Sequence, residues 1–105
     1  MSNFIENSVL NDIKQELLEL GFDVDSVGIV YWIDAIKYSK ANPLEWKMGI
    51  IYEFIAEKHN STISRVERAM RHSMIPATKN IQKKYGYYNK IRNSTFLNLI
   101  KFKLI

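Results

Sequence analysis

The sequence predicts an all-α protein, a compact bundle of about six helices. Its apolar residues recur at helical rather than alternating spacing, and only two prolines, Pro43 and Pro76, interrupt the pattern. The chain has 105 residues, of which 47% are hydrophobic, which is enough for one core and too little for two. We therefore expect residues 1–105 to form a single domain.

Two helices are predicted in the N-terminal part of the chain. The first covers about residues 8–20, and Gly21 is placed to end it. Its apolar stripe consists of Val9, Ile13, Leu17 and Leu20. The second helix begins near Ser26 and ends at Asn42, because Pro43 disfavours helical geometry in the residue before it.

Four further helices are predicted, at about residues 44–51, 50–58, 62–74 and 94–102. The third and fourth merge or abut, and Gly49 is the expected break between them. Between the fifth and the sixth, we expect residues 76–92, which are rich in tyrosine and lysine, to form a connection.

Charge is divided unevenly between the two halves of the chain. Residues 1–55 carry four lysines and nine acidic side chains, a net charge of −5, whereas residues 56–105 carry eleven basic and two acidic side chains, a net charge of +9. Such asymmetry favours a positive face that binds a polyanion by releasing counterions. A solvated basic surface without a nucleic-acid partner explains the same numbers.

The composition excludes several classes of protein. Without cysteine, and with only two histidines, the chain is expected to hold no disulfide, metal or cofactor, which suits a reducing cytoplasm. No apolar run is long enough to span a membrane. We expect no enzyme, because phosphate-binding glycine loops and nucleophile motifs are missing. Asp23, Asp25 and Asp34 could be imagined as a carboxylate site, but acidic residues at a helix boundary more often complement the helix dipole.

The residues around Asn60 have the spacing of a helix-turn-helix. In that motif the first helix needs a small residue at the elbow, the turn needs a residue that tolerates positive φ, and the second helix needs a buried aliphatic side chain. Counted from Tyr52, these demands fall at the fifth, ninth and fifteenth positions, which are Ala56, Asn60 and Val66. Asparagine enters the left-handed region at modest cost. Thr62 is suited to cap the second helix, and Ser64 with Glu67 is an alternative capping box.

Three of the four arginines, Arg65, Arg68 and Arg71, lie within this second helix. A projection at roughly 100° per residue separates two faces. The inner face holds Ile63, Val66, Ala69, Met70, Ser73 and Met74. The outer face holds Ser64, Arg65, Glu67, Arg68, Arg71 and His72. Arginine pairs with guanine and glutamate with cytosine in the DNA major groove, so this face favours DNA binding. A protein-interaction helix, or a solvated face with Glu67 paired to Arg71, is the alternative.

These residues are similar to a known family. The stretch from Ile55 to Lys58, and the run from Asn60 to His72, resemble the turn and recognition helix of stage zero sporulation protein A, a bacterial response regulator that initiates sporulation. The resemblance is to its C-terminal DNA-binding domain, and Ser-Arg-Val-Glu-Arg-Ala at residues 64–69 is its most specific part. Weaker agreement extends over about residues 10–104.

The resemblance implies a six-helix transcription regulator that binds double-stranded promoter DNA, with residues 62–74 in the major groove of a short box containing G·C pairs. It implies that Arg68 and Glu67 read bases. Further base or phosphate contacts are expected from Arg65, Arg71 and His72, and backbone contacts from Ser64, Thr62 and Lys58. It also implies contact with the sigma subunit of RNA polymerase. The sequence leaves open whether two copies bind the DNA in tandem or as a two-fold dimer.

Two departures from the family pattern affect these expectations. Pro76 and a shortened segment before Tyr85 alter the region where the family continues helically, which bears on polymerase contact and dimer geometry. The family's receiver domain is absent from this sequence, so we expect either a free-standing regulator controlled by its abundance or an excised domain, with phosphorylation not acting as the switch. A second function is open: a protein-interaction module of the same fold that antagonises or partners a full-length regulator.

Overall fold

The computed structural model describes the backbone of residues 2–45 and 47–104, and the side chains of residues 10–45 and 47–102. Within these ranges the chain is all-helical, which confirms the predicted fold class. The helices are α1 (Ser2–Leu20), α2 (Val27–Ala41), α3 (Met48–Lys58), α4 (Ile63–Met74), α5 (Thr78–Tyr85) and α6 (Asn93–Leu104). A 3-10 turn, Ile75–Ala77, joins α4 to α5. None of these helices combines the length and hydrophobicity that crossing a bilayer requires.

The C-terminal end of α1 and both ends of α2 lie where the sequence predicts them, whereas α1 begins at Ser2 and not near residue 8. Gly21 has φ of +90° and follows the last residue of α1, and the Phe22 N–H closes the helix by donating to the Leu17 carbonyl at 3.1 Å. Ser26 is the N-terminal flanking residue of α2, and Asn42 is its C-terminal one, directly before proline. The expected stripe of α1 is buried at Ile13, Leu17 and Leu20, whereas the side chain of Val9 lies outside the described residues.

The prediction that a helix begins at about residue 44 is wrong, although residues 48–51 are helical and merge with the next predicted helix. A turn follows Asn42 instead, in which the Glu45 N–H donates to the Asn42 carbonyl at 3.0 Å. The Glu45 carboxylate then accepts the Lys47 N–H at 3.0 Å, a local bond that competes with helix formation. One helix, α3, therefore begins at Met48, and Gly49 lies in its first turn rather than at a break.

The prediction that residues 76–92 form one connection between helices is also wrong for its first part, which contains a further helix. Pro76 lies at the start of the 3-10 turn, where a backbone N–H would have no partner within the helix, so the missing N–H of proline costs no hydrogen bond. The chain can therefore turn and resume as α5, in which the buried Ile81 follows the buried Ala77 of the 3-10 turn by four residues. Only residues 86–92 are left as a connection between α5 and α6.

A buried carboxylate joins α5 to α1. The side chain of Glu16 is 5% exposed and accepts hydrogen bonds from the Lys84 ammonium at 2.9 Å and the Tyr85 hydroxyl at 2.5 Å. The pKa of Tyr85 is raised well above its usual value, mainly by burial and secondarily by the hydrogen bond to the Glu16 carboxylate. The phenol therefore stays protonated and remains a donor. These bonds fix the helix that the sequence pattern did not predict.

Helix α2 lies at the centre of the bundle, packed against α1, α3, α4 and α6. Its Trp32 is completely buried and contacts Phe22 and Phe96 edge-on, with ring centroids 5.9 and 5.1 Å apart. Edge-to-face pairs of this kind add stability beyond the area that they bury. The aromatic cluster thus joins the loop after α1, the middle of α2 and the first turn of α6.

Gly28 allows the backbones of α2 and α4 to approach closely. A Cβ at this position would lie 2.1 Å from the Ala69 carbonyl oxygen and 2.7 Å from the Ser73 hydroxyl. The nearest atom is backbone, which cannot rotate away as a side chain can. Any larger residue at position 28 must therefore push α4 outward.

We predict that Gly28→Ala lowers the free energy of unfolding by about 1–3 kcal/mol, because overpacking outweighs the helix preference of alanine. Gly49→Ala is the matched control: it also lies in a helix, but its added Cβ meets nothing within 4 Å, so stability should rise by up to about 1 kcal/mol. Urea unfolding followed by circular dichroism measures both. Equal effects of the two substitutions would contradict the close approach.

Candidate nucleic-acid interface

Helices α3 and α4 form the predicted helix-turn-helix. Ala56 is 6% exposed and Val66 is completely buried, as the elbow of the motif requires. Asn60 has φ of +52° and is the one non-glycine residue with positive φ in the described backbone. All three predicted positions of the motif are therefore confirmed.

Backbone hydrogen bonds fix the turn between the two helices. The Ser61 N–H donates to the Ala56 carbonyl at 2.8 Å and the Asn60 N–H to the Glu57 carbonyl at 3.4 Å, the pattern of a Schellman motif. The Thr62 hydroxyl oxygen then accepts the Arg65 N–H at 3.2 Å. Thr62 is thus the cap of α4, and the alternative capping box of Ser64 with Glu67 is wrong because Ser64 already lies inside the helix.

The inner face of α4 is held by α2. The Trp32 indole N–H donates to the Met70 carbonyl at 2.9 Å, and the Ser73 hydroxyl donates to the same oxygen at 2.9 Å. Val66, Met70, Ser73 and Met74 are buried, as predicted. Ile63 departs from the prediction, because as the first residue of the helix it remains 47% exposed.

The outer face of α4 points into solvent. The exposed side chains are Ser64, Arg65, Arg68, Arg71 and His72, and the capping Thr62 before the helix is exposed as well. Within the described residues, neither Arg65 nor Arg68 forms a salt bridge. Two guanidinium groups on this face are therefore available to a ligand.

Glu67 and Arg71 form an ion pair along this face. The Arg71 Nε lies 2.9 Å from Glu67 Oε1, one helical turn away, and both side chains are substantially exposed. Such a surface pair stabilises by only a few tenths of a kcal/mol. The sequence-based alternative of a paired Glu67 and Arg71 is thus observed, and it involves only one of the two carboxylate oxygens.

Lys58, at the end of α3, already has a partner. Its ammonium lies 2.9 Å from one oxygen of Asp34, and the His59 ring lies 2.5 Å from the other oxygen. Asp34 is buried in this cluster, whereas Asp23 and Asp25 are exposed in the loop before α2. No group of three or more potential metal ligands occurs among the described residues.

A cleft beside α4 contains functional groups that the sequence analysis did not select. It has a volume of about 360 Å³ and lies between the start of α3, the outer part of α4 and the segment that enters α6. Asn93 joins its walls, because its amide N–H₂ donates to the Tyr52 hydroxyl at 3.1 Å and to the Glu67 carbonyl at 3.2 Å. Lys90 and Arg92 also line it. The only sequence signal for these two residues was the basic composition of the C-terminal half.

Residues 13–104 match the family model described as Sporulation initiation factor Spo0A C terminal. The chain belongs to this family. The match covers most of the chain and includes all six helices in whole or in part. It confirms the resemblance first found in the turn and in α4.

The Spo0A C-terminal family is one of DNA-binding transcription regulators rather than of enzymes. In this member, α4 has the features that such a role requires, an inner face anchored to α2 and an outer face rich in exposed arginine. DNA binding is therefore assigned at the level of the family.

We predict that Asn60→Ala lowers the free energy of unfolding by about 1 kcal/mol, because a Cβ without a short polar group disfavours the left-handed conformation. Asn60→Gly is the control, since it removes the same exposed side chain but permits positive φ, and it should change stability by less than about 0.5 kcal/mol. Thermal and urea unfolding measure the difference. If alanine and glycine are equivalent, the turn does not depend on the conformation of Asn60.

Proposed function

We propose that this domain reads a short promoter box by placing α4 in the major groove of double-stranded DNA. One observation carries the proposal: the outer face of α4 presents the Arg65 and Arg68 guanidiniums, which have no acidic partner among the described residues, while its inner face is fixed by α2. A helix with its side chains fits the width of the major groove, which is about 12 Å in B-DNA.

Base reading is assigned to Arg68 and Glu67. A guanidinium donates two parallel hydrogen bonds to O6 and N7 of guanine, and a carboxylate accepts from N4 of cytosine. The Glu67–Arg71 pair uses Oε1 of the carboxylate, whereas Oε2 has no partner among the described residues and is left for a cytosine. In this proposal the ion pair orients Glu67 rather than removing it from recognition.

The remaining predicted contacts position the domain on the DNA. Arg65, Arg71 and His72 are exposed beside the base readers, and Thr62 and Ser64 lie at the start of α4, where the helix dipole favours a phosphate. Lys58 is the least available, because its ammonium must share its charge between Asp34 and a phosphate.

We extend the proposal to the sigma subunit of RNA polymerase as a partner. What supports it is that the chain continues helically after α4, through the 3-10 turn and α5, despite Pro76. The helical character that the family resemblance implies for this region is therefore retained in the present chain.

We predict that the domain prefers a duplex carrying the family's box over a scrambled duplex of equal length and composition. Fluorescence anisotropy titrations over a range of salt concentrations measure both the preference and the electrostatic contribution. Equal, weak binding to the two duplexes would exclude sequence-specific regulation and favour the protein-interaction module.

A pair of substitutions at Arg68 separates base reading from charge. Arg68→Ala should weaken binding to the box by about 1–3 kcal/mol and relax the preference at one base pair. Arg68→Lys keeps the charge but loses the bidentate geometry. It should therefore keep the salt dependence of binding but lose the preference for the box over the scrambled duplex. The assignment of α4 fails if Arg68→Ala binds the box as tightly as the parent protein.

A further inference from the structure

The cleft beside α4 is continuous with the proposed DNA-binding face. Arg71 belongs to both surfaces, because it lies on the outer face of α4 and also lines the cleft. Opposite it, Lys90 and Arg92 project from the segment that precedes α6, and Tyr52 comes from α3. Three separate parts of the chain thus contribute polar groups to one cavity next to the proposed recognition surface.

The charge of this cleft is positive. Its lining includes three cations, Arg71, Lys90 and Arg92, against a single carboxylate, that of Glu67, which is already paired with Arg71. Neither Lys90 nor Arg92 forms an ion pair with an acidic side chain in the part of the chain that the structure describes. Both are exposed. The cleft therefore lacks an internal counterion for two of its cations.

A neutral donor supplements these cations. The Tyr52 hydroxyl accepts a hydrogen bond from Asn93, so its own hydrogen is left to donate elsewhere. Burial raises the pKa of Tyr52 above its usual value, which keeps this hydrogen in place at physiological pH. The Asn93 amide holds the hydroxyl and the α4 backbone together, so the donor has a fixed position relative to the recognition helix.

We propose that this cleft binds a phosphate group of the DNA strand that borders the major groove, with Lys90, Arg92 and the Tyr52 hydroxyl as its donors. The inference rests on the proposed function, because a helix seated in the groove brings the residues at its side against the sugar-phosphate backbone. Two cations without an acidic partner among the described residues, together with a hydroxyl, match a phosphate, which presents several acceptor oxygens and a full negative charge. These contacts carry no base information and fix the register of α4.

The first test measures salt dependence on the box duplex and on the scrambled duplex. Lys90→Ala and Arg92→Ala should each weaken binding several-fold to both duplexes alike and reduce the slope of log K against log salt by about one. The ratio of affinities for the two duplexes should not change. Lys14→Ala is the matched control, because it removes a cation that is also exposed but lies on α1, and it should leave the slope unaltered.

The second test locates the phosphate. Duplexes with a single neutral methylphosphonate linkage at each position beside the box are titrated with the parent protein and with Arg92→Ala. At the contacted position, the loss of affinity caused by the methylphosphonate and the loss caused by Arg92→Ala should not add, because each change removes the same interaction. Circular dichroism melts confirm that the substituted proteins are folded, as expected for exposed side chains.

The outcomes separate this inference from the proposed function. If Lys90→Ala and Arg92→Ala leave both the salt slope and the affinity for DNA unchanged, the phosphate cleft is overturned. The carboxylates of a protein partner would then be the better candidate ligand for this cleft. The phosphate cleft would also be overturned if the methylphosphonate and Arg92→Ala losses of affinity add at every linkage tested. If the parent protein does not distinguish box from scrambled DNA, the proposed function fails, yet the slopes on both duplexes still decide whether the cleft holds a phosphate.

Discussion

The close contact between α2 and α4 is the constraint on which the rest of the structure depends. Gly28 brings the two backbones together, and the Trp32 indole donates to the Met70 carbonyl across the same interface. Trp32 also lies at the centre of the aromatic cluster, so one side chain connects the core to α4. A buried bond of this kind is costly to leave unmade, which gives α4 a single orientation. Its outer face is consequently directed into solvent.

This anchoring explains how one short helix can serve both packing and recognition. The side chains that hold α4 are apolar or locally satisfied, and its charged side chains are left outside the core. Part of the outer charge is used within the helix, in the pair of Glu67 with Arg71, whereas Arg65 and Arg68 have no acidic partner in the part of the chain that the structure describes. The helix that carries the guanidiniums is therefore fixed before a ligand arrives, so less backbone conformational entropy is lost on binding.

The helix-turn-helix could be predicted from sequence because its demands are local. A small residue, a left-handed residue and a buried aliphatic residue are fixed by the elbow itself, and they are Ala56, Asn60 and Val66. Helix α5 was not predicted because Pro76 was interpreted as an interruption, although proline is tolerated in a first helical turn. The cleft was beyond sequence reasoning, since it exists only where the segment before α6 packs beside α4 and α3. Long-range packing of this kind leaves no periodic signal.

The central claim is that α4 reads bases from the major groove, and the most direct measurement changes the DNA rather than the protein. Replacing each box guanine in turn with 7-deazaguanine removes the N7 acceptor but preserves base pairing and every phosphate. If Arg68 contacts a guanine, one replacement should weaken binding of the parent protein by about 1–3 kcal/mol. The same replacement should leave the affinity of the Arg68→Ala variant unchanged. Undiminished binding of the parent to every substituted duplex would contradict it.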